Sequence, residues 1–249
     1  MINDFHNPEK LANFRDLGAT RLAEGKIKRG KLFRSDDLAN IDLDEAQRVA
    51  AYGVGLIIDL RSASEAAASG RGPLGDFEID YLNIPLMSEA AAPHKLFEHK
   101  TEGGISCEQM GYWYHALLET ASGTLVHALE HIASAEKPVV FHCVAGKDRT
   151  GLLAMVILDI LGASQQESIN DYMLTQQVMP SILKRMEFSQ SDYSREDFAK
   201  AGAMLTAQPE SAQRFFDILN SSHQSITGIL QTAGLSVETI QLLRRKYSD

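Results

Sequence analysis

Residues 139–151 read VVFHCVAGKDRTG. An apolar run rich in β-branched residues ends at Cys143, small residues follow, and an apolar helical pattern begins at Arg149 and continues to Leu161. A buried strand that ends in a short loop and then opens a helix is the geometry of an anion site, because the loop N–H groups and the helix N-terminus face the same point. The stretch therefore predicts an anion-binding loop at the edge of a sheet.

Strand-like and helix-like patterns alternate along the rest of the chain. Apolar runs typical of buried strands cover residues 54–60, 79–86 and 138–142, and helical patterns cover 43–52, 110–121, 124–135, 149–161 and the region that starts with a capping-box pattern at Ser164. Residues 62–75 are rich in Gly, Ser and Ala and are predicted to form a loop. The alternation predicts an α/β fold: a central, mostly parallel sheet of about four to five strands flanked by helices, with a helical C-terminal part.

Length and the lack of internal repeats predict a single domain over residues 1–249. We expect its core at 10–180 and its helical C-terminal part at 181–249. Segment 87–110 is polar, has no clear period and lies between a strand and a helix. We interpret it as a lid near the anion-binding loop.

Composition and charge limit the function classes. The formal net charge is -9 and the pI is about 5.4, which argues against nucleic acid or an anionic membrane surface as a partner. The chain has two cysteines, too few for a disulfide scaffold, and starts without an apolar signal region, so we expect a cytoplasmic protein, with export by a non-classical route left open. The longest apolar run, 152–161, is too short to span a membrane, and the histidines lack metal-ligand spacing. We therefore predict no integral membrane segment, no metal and no cofactor.

The loop residues have distinct predicted roles. Cys143, at the mouth of the loop and near a helix N-terminus, is the candidate nucleophile as a thiolate. Arg149 follows it by six residues, which lets the loop turn and present a planar guanidinium to two phosphate oxygens. Thr150 offers a hydroxyl to the sulfur, and His142 is expected to fix the shape of the loop. The predicted phosphate-binding residues are Val144, Ala145, Gly146, Lys147, Asp148 and Arg149.

The loop also carries a family resemblance. Residues 142–150 fit the pattern His-Cys-x5-Arg-Ser/Thr of the protein tyrosine phosphatases. They resemble more specifically the loop His-Cys-x-Ala-Gly-Lys-Asp-Arg-Thr-Gly of atypical microbial tyrosine phosphatases, a group that includes mycobacterial and listerial tyrosine and lipid phosphatases. Further stretches look like landmarks of that group over roughly the first 180 residues: 13–18, 33–35, 59–62 and 171–172. The chain departs at Ala19, where the group often has glycine.

The resemblance implies a cysteine-phosphatase-like fold and hydrolysis of phosphate monoesters through a cysteinyl-phosphate intermediate. The implied substrates are phosphotyrosine proteins or peptides, with dual specificity or activity on phosphoinositides as an extension, and inorganic phosphate and vanadate are implied ligands. Two alternatives stay open: a rhodanese-like sulfurtransferase, whose fold also ends a strand in a cysteine loop, and a phosphate-binding module without catalysis.

The general acid is less determined than the nucleophile. No Asp occurs between Ile84 and His142, the interval in which larger tyrosine phosphatases carry their acid. Two candidates remain: Asp148 in the loop, where the resemblance implies an acid and base, and Asp59 at the carboxyl end of a predicted strand. The alternative for Asp59 is an ion pair with Arg61 or Arg15.

Several other residues have two interpretations each. Lys147 either accepts extra phosphates, as on phosphoinositides, or only stabilises the thiolate. Asn13, Arg15 and Asp16 either tie the N-terminal segment to the sheet or contribute to the substrate rim, and we favour the structural role. Of the aromatic run 112–114, at least one side chain is expected to face the cleft. Cys107 is either a redox partner of Cys143 or, as we favour, a small buried side chain.

Overall fold

The computed structural model of the chain describes residues 11–88, 104–189 and 202–249. Within them, five strands form one sheet in the order β1-β2-β5-β3-β4, with β1 antiparallel to β2 and all other neighbours parallel. The strands are β1 (Arg15–Asp16), β2 (Leu32–Ser35), β3 (Leu56–Asp59), β4 (Asp80–Asn83) and β5 (Val139–His142). The prediction of a mostly parallel sheet of four to five strands is confirmed.

Strand β5 lies at the centre of the sheet because both of its faces are apolar. Val139 and Phe141 belong to one hydrophobic core, and Val140 belongs to a second core on the opposite face. In the register of the sheet, His142 pairs with Ser35 on one side and with Asp59 on the other. Since parallel strands end at a common edge, the residues that follow these three positions meet there.

Helices cover both faces of the sheet, as the alternating pattern predicts. They are α1 (Leu43–Ala51), α2 (Ala63–Ser69), α3 (Cys107–Thr120), α4 (Ser122–Ser134), α5 (Asp148–Leu161), α6 (Gln165–Leu174), α7 (Met179–Ser189), α8 (Pro209–Ser221), α9 (Ile226–Thr232) and α10 (Val237–Tyr247), with short 3-10 turns at Gly72–Asp76, Thr175–Gln177 and Gly202–Leu205. The prediction of an α/β fold with a helical C-terminal part is thus confirmed.

Helix α5 is the buried helix that the sequence predicts after the loop. Nearly all of its side chains are buried, which explains why its apolar pattern is continuous rather than one-sided. It ends at Gly162, whose φ of 91° is the left-handed conformation that glycine adopts without strain. The next helix, α6, begins where predicted, with the Ser164 side chain accepting from the Glu167 N–H.

The structure differs from the sequence-based prediction at one segment and adds two strands. The predicted loop over 62–75 is wrong: Ala63–Ser69 is helix α2, started by a capping box between Ser62 and Glu65. The short strands β1 and β2 carry no pattern that predicts them. Of the proposed lid 87–110, residues 89–103 lie outside the described residues, and Cys107 already opens helix α3.

The C-terminal helices pack against the helices that follow and precede β5. Tyr247 of α10 donates its hydroxyl to the Ile132 carbonyl in α4 at 2.7 Å, and Thr227 of α9 donates to Asp159 in α5 at 2.8 Å. These contacts tie the end of the chain to the layer that supports the loop. Among the described helices, none combines the length and apolar character needed to cross a membrane.

Candidate active site

The loop between β5 and α5 lies at the carboxyl edge of the sheet, as the sequence predicts. Cys143 is only 2% exposed. Gly146 has a φ of +65°, and a Cβ at this position would approach the Ser35 carbonyl oxygen to 2.5 Å. The close approach of the loop to β2 therefore requires glycine at this position.

Three successive loop carbonyls are held by the scaffold. The Asp37 N–H donates to the Val144 carbonyl at 2.8 Å, and Asn13 Nδ2 donates to the carbonyls of Ala145 and Gly146 at 2.9 and 3.1 Å. In a trans peptide the C=O and N–H point in opposite directions. The N–H groups of residues 145–147 therefore point away from the scaffold, and together they form a concave set of donors suited to an oxyanion.

A buried ion-pair network supports these carbonyl contacts from below. Arg34 donates to the Gly146 carbonyl at 2.6 Å and pairs with Asp171, which also pairs with Arg15 at 2.9 Å. Burial alone raises the pKa of Asp171, but the two arginines hold it below its usual value. Burial and the neighbouring Arg15 lower the pKa of Arg34 to about 10. These contacts favour the interpretation in which Asn13 and Arg15 tie the N-terminal segment to the sheet rather than contribute to the substrate rim.

Arg149 pairs with Glu65, a residue that the sequence analysis missed. The carboxylate accepts from Nη1 at 2.5 Å and from Nη2 at 3.0 Å. Burial lowers the pKa of Arg149, but the negative charge of the Cys143 thiolate and the contact with Glu65 outweigh it and raise the pKa above its usual value. Glu65 also accepts from the Ser62 N–H at 2.7 Å, so the capping box of α2 fixes the carboxylate. The sequence signal at Glu65 is the capping-box pattern Ser62-x-x-Glu65, which predicts the start of a helix but not the pairing with Arg149.

Asp59 is completely buried behind the loop. Its carboxylate accepts from Arg61 Nη2 and from the Tyr81 hydroxyl, both at 2.6 Å. Burial raises the pKa of Asp59, yet hydrogen bonds from Arg61, the charge of His142 and the Tyr81 hydroxyl bring it below the usual value. The ion pair that the sequence offers as an alternative is formed with Arg61 rather than Arg15.

His142 joins Asp59 to the loop. Its Nδ1 lies 3.1 Å from the Cys143 carbonyl, and its Nε2 lies 3.8 Å from Asp59 Oδ1. A carbonyl only accepts, so Nδ1 carries a proton in this contact. Burial lowers the pKa of His142 below its usual value, although Asp59 acts in the opposite direction. These contacts agree with a role in fixing the loop.

Asp148 is the more accessible of the two candidate acids. Its side chain is 23% exposed, and Oδ1 accepts from the Tyr114 hydroxyl at 2.6 Å. Tyr114 is thus the member of the aromatic run that faces the loop, while Trp113 is buried in the core and Tyr112 is exposed.

The Lys147 side chain turns away from solvent. It is fully buried, and Nζ donates to the carbonyls of Ala203 at 3.2 Å and Met204 at 2.5 Å and lies 3.3 Å from Asp148 Oδ1. Burial lowers the pKa of Lys147. An ammonium has three N–H donors, and these acceptors use all of them. These contacts favour the interpretation in which the ammonium does not receive extra phosphates, whereas the backbone N–H of Lys147 belongs to the concave set.

Thr150 and Cys107 are two further residues that the sequence singles out. Within the described part of the chain, the buried Thr150 hydroxyl has no hydrogen-bond partner. Such a group normally has an acceptor, so this hydroxyl is a donor that the described residues leave unused. Cys107 is partly buried and, like Cys143, forms no disulfide. Over the described ranges, no group of three or more His, Cys, Asp or Glu side chains is arranged to hold a metal ion.

The chain is similar in sequence to known proteins. The model of a family described as the tyrosine phosphatase family matches residues 6–249. The triple specificity protein phosphatase PtpB of Mycobacterium tuberculosis is 25% identical over 93% of this chain and 95% of its own length. A putative tyrosine-protein phosphatase of Cupriavidus necator is 26% identical, over 94% of this chain and 85% of its length, and a tyrosine-protein phosphatase of Nostoc commune is 27% identical, over 85% and 72%. The solved structure of a TpbA variant of P. aeruginosa in complex with phosphotyrosine gives a TM-score of 0.35 at 13% identity, over 83% of this chain and 88% of that chain.

Proposed function

This chain belongs to the tyrosine phosphatase family, and from that premise we propose that Cys143 and Arg149 carry out its protein-tyrosine-phosphatase-like hydrolysis of phosphate monoesters. The assignment rests on the contacts that hold the carbonyls of residues 144–146 on the scaffold, because these contacts turn the N–H groups of residues 145–147 to the opposite side. Family membership leaves neither the sulfurtransferase nor the non-catalytic module as a favoured alternative.

In the first step the Cys143 thiolate attacks phosphorus in line with the ester oxygen. The S–P bond forms, the P–O bond to the leaving group breaks, and the leaving oxygen takes a proton from an acid. Negative charge on the equatorial oxygens is met by the loop N–H groups and by Arg149. Because Glu65 contacts the two terminal nitrogens of Arg149, Nε–H and the second N–H of each terminal nitrogen stay available for phosphate.

We assign the acid to Asp148 rather than Asp59. Asp59 is buried, and both of its oxygens already accept hydrogen bonds, Oδ1 from the Arg61 backbone N–H and Oδ2 from Arg61 Nη2 and the Tyr81 hydroxyl, so neither oxygen is free to carry a proton. Asp148 is partly exposed and belongs to the loop. In the second step the same carboxylate takes a proton from water, which attacks phosphorus and releases phosphate from the sulfur.

Thr150 and His142 support the sulfur in this scheme. The buried Thr150 hydroxyl has no hydrogen-bond partner among the described residues. We propose that it turns to donate to the thiolate before attack and again when the thiolate leaves in the second step. The His142 ring holds the Cys143 carbonyl and so fixes the backbone at the nucleophile.

The proposed substrates are phosphotyrosine proteins or peptides, and inorganic phosphate and vanadate are proposed as ligands of the loop. A relative named as a triple specificity protein phosphatase supports testing more than one class of phosphate monoester. We further propose a cytoplasmic location, without excluding export by another route.

A substrate panel with the Cys143→Ser variant tests the assignment. We expect hydrolysis of a phosphotyrosine peptide that vanadate inhibits, that Cys143→Ser abolishes and that the matched Cys107→Ser variant retains. Phosphoserine and phosphothreonine peptides and phosphoinositides, assayed in parallel, define the substrate range. Turnover that persists in Cys143→Ser would remove the covalent mechanism.

A further inference from the structure

The carboxylate of Asp148 is held at one oxygen only. The Tyr114 hydroxyl reaches Oδ1 at 2.6 Å, and the Lys147 ammonium reaches the same atom at 3.3 Å. Among the described residues, Oδ2 has no comparable donor. A proton shared with substrate or water is therefore expected on Oδ2, because Oδ1 is already an acceptor.

A second buried tyrosine fixes the direction of this contact. The hydroxyls of Tyr114 and Tyr172 lie 2.8 Å apart, and both side chains are almost completely buried. A phenol has one proton to donate. If Tyr114 gives its proton to Asp148, Tyr172 must give its own to the Tyr114 oxygen. The donors thus form a chain that runs from Tyr172 through Tyr114 to Asp148.

Packing holds the chain of hydroxyls in place. Tyr114 lies on α3 and Tyr172 on α6, two helices outside the loop, and their rings meet edge to face with centroids 5.9 Å apart. Burial and the nearby Asp148 carboxylate raise the pKa of Tyr114 well above its usual value, so the phenol stays protonated. The donor is therefore preorganised by helices rather than by the loop itself.

Building on the proposed function, we infer that Tyr114 is a positioning residue for the acid: its hydroxyl, backed by Tyr172, anchors Oδ1 of Asp148 and leaves Oδ2 to carry the transferred proton. Tyr114 itself contacts neither the phosphorus nor the nucleophile in this arrangement. Its removal should weaken proton transfer to the leaving group and leave phosphate binding unchanged.

Leaving-group dependence separates this role from a general structural one. Phenyl phosphate needs protonation of a poor leaving group, whereas dinitrophenyl phosphate has a leaving group that departs without an acid. We expect Tyr114→Phe to lower kcat/KM about tenfold for phenyl phosphate and little for dinitrophenyl phosphate, with unchanged inhibition by vanadate. Tyr112→Phe removes an exposed hydroxyl from the same helix, bonded to Arg214, and should leave both rates unchanged.

A double-mutant cycle locates the effect at Asp148. In the Asp148→Asn background, Tyr114→Phe should have no further effect on the phenyl phosphate rate, because the group it positions is gone. Tyr172→Phe should show the same selectivity as Tyr114→Phe with a smaller loss, and it carries the test if Tyr114→Phe fails to fold.

The outcomes distinguish a failure of the positioning role of Tyr114 from a failure of the assignment of Asp148 as the acid. If Asp148→Asn lowers kcat/KM equally for both substrates, the assignment of the acid is wrong. If Asp148→Asn is selective but Tyr114→Phe is inactive on both substrates, unchanged on both, or altered in vanadate inhibition, the positioning role alone is overturned. A larger selective loss in Tyr172→Phe than in Tyr114→Phe contradicts the order of donors.

Discussion

Glu65 holds Arg149 by both terminal nitrogens, at 2.5 and 3.0 Å, although the two residues are 84 positions apart in sequence. Glu65 lies on α2, which follows β3, while Arg149 lies in the first turn of α5, which follows β5. Helix α2, which follows β3, thus orients the Arg149 guanidinium, which follows the neighbouring strand β5. Because β3 and β5 are neighbours in the sheet, the order of the strands brings Glu65 to the loop that binds phosphate.

Replacement of Glu65 by Gln tests that link. Glutamine still serves as the capping-box partner of Ser62, so α2 should form, but it can no longer fix the guanidinium through two charged contacts. We expect kcat/KM to fall about 10-fold to 100-fold, with weaker inhibition by inorganic phosphate. The control is Glu78→Gln, an exposed position. Wild-type kinetics in Glu65→Gln would contradict the role of this ion pair.

Replacement of Asp59 by Asn should affect stability more than proton transfer. The change leaves the buried Arg61 without its main partner, and breaking such a pair costs about 3–5 kcal/mol. Urea denaturation should therefore show a clear loss in the free energy of unfolding. The ratio of the phenyl phosphate to the dinitrophenyl phosphate rate should match the wild type, and a selective loss for phenyl phosphate would instead identify Asp59 as the acid.

Replacement of Asp171 by Asn should destabilise the protein in a pH-dependent way. The folded-state pKa of Asp171 lies below its ordinary value of 3.8, so its stabilising effect is present above that value and is lost as the pH falls through the folded-state pKa. At neutral pH we expect a loss of about 3 kcal/mol or more, since two buried arginines lose a partner. Unfolding free energies of the two proteins should converge below pH ~4. A difference that stays constant with pH would contradict the ion-pair account.

Replacement of Lys147 by Met distinguishes its two interpretations. The buried ammonium satisfies the carbonyls of Ala203 and Met204, so its loss should cost about 1–3 kcal/mol of unfolding free energy. The ratio of kcat/KM for a phosphoinositide to that for a phosphotyrosine peptide should stay the same. A selective rise in KM for the phosphoinositide would show that the side chain reaches a second phosphate. Lys137→Met, at an exposed position, is the control.

The sequence predicts those parts of the fold whose signals are local. The loop, β3, β5, α5 and the left-handed end at Gly162 each depend on a continuous apolar run or on one residue type in one place. The sequence does not predict helix α2 because the glycines that follow it, at positions 70, 72 and 75, give segment 62–75 the composition of a loop. The capping pair Ser62 and Glu65 is the local signal that favours the helix. Strands β1 and β2 are too short to show a period.

The site was predictable where chemistry depends on neighbours in sequence and not where it depends on the fold. Cys143 and Arg149 are separated by a fixed interval, so their pairing is readable from the chain. The contacts of Arg149 with Glu65 and of Asp148 with Tyr114 join distant segments, and no local pattern encodes them. The direction of the Lys147 side chain depends on the turn at 202–205, which supplies its acceptors.

The most direct test of the account is acid trapping of the phosphoenzyme. The protein is mixed with a phosphotyrosine peptide, quenched in acid within one turnover, digested and analysed by mass spectrometry for a phosphorylated cysteine. We predict one phosphate on Cys143 and none on Cys107, with no trapped species in Cys143→Ser. Rapid hydrolysis without a phosphate on Cys143, or turnover that survives Cys143→Ser, would contradict the central role of the thiolate.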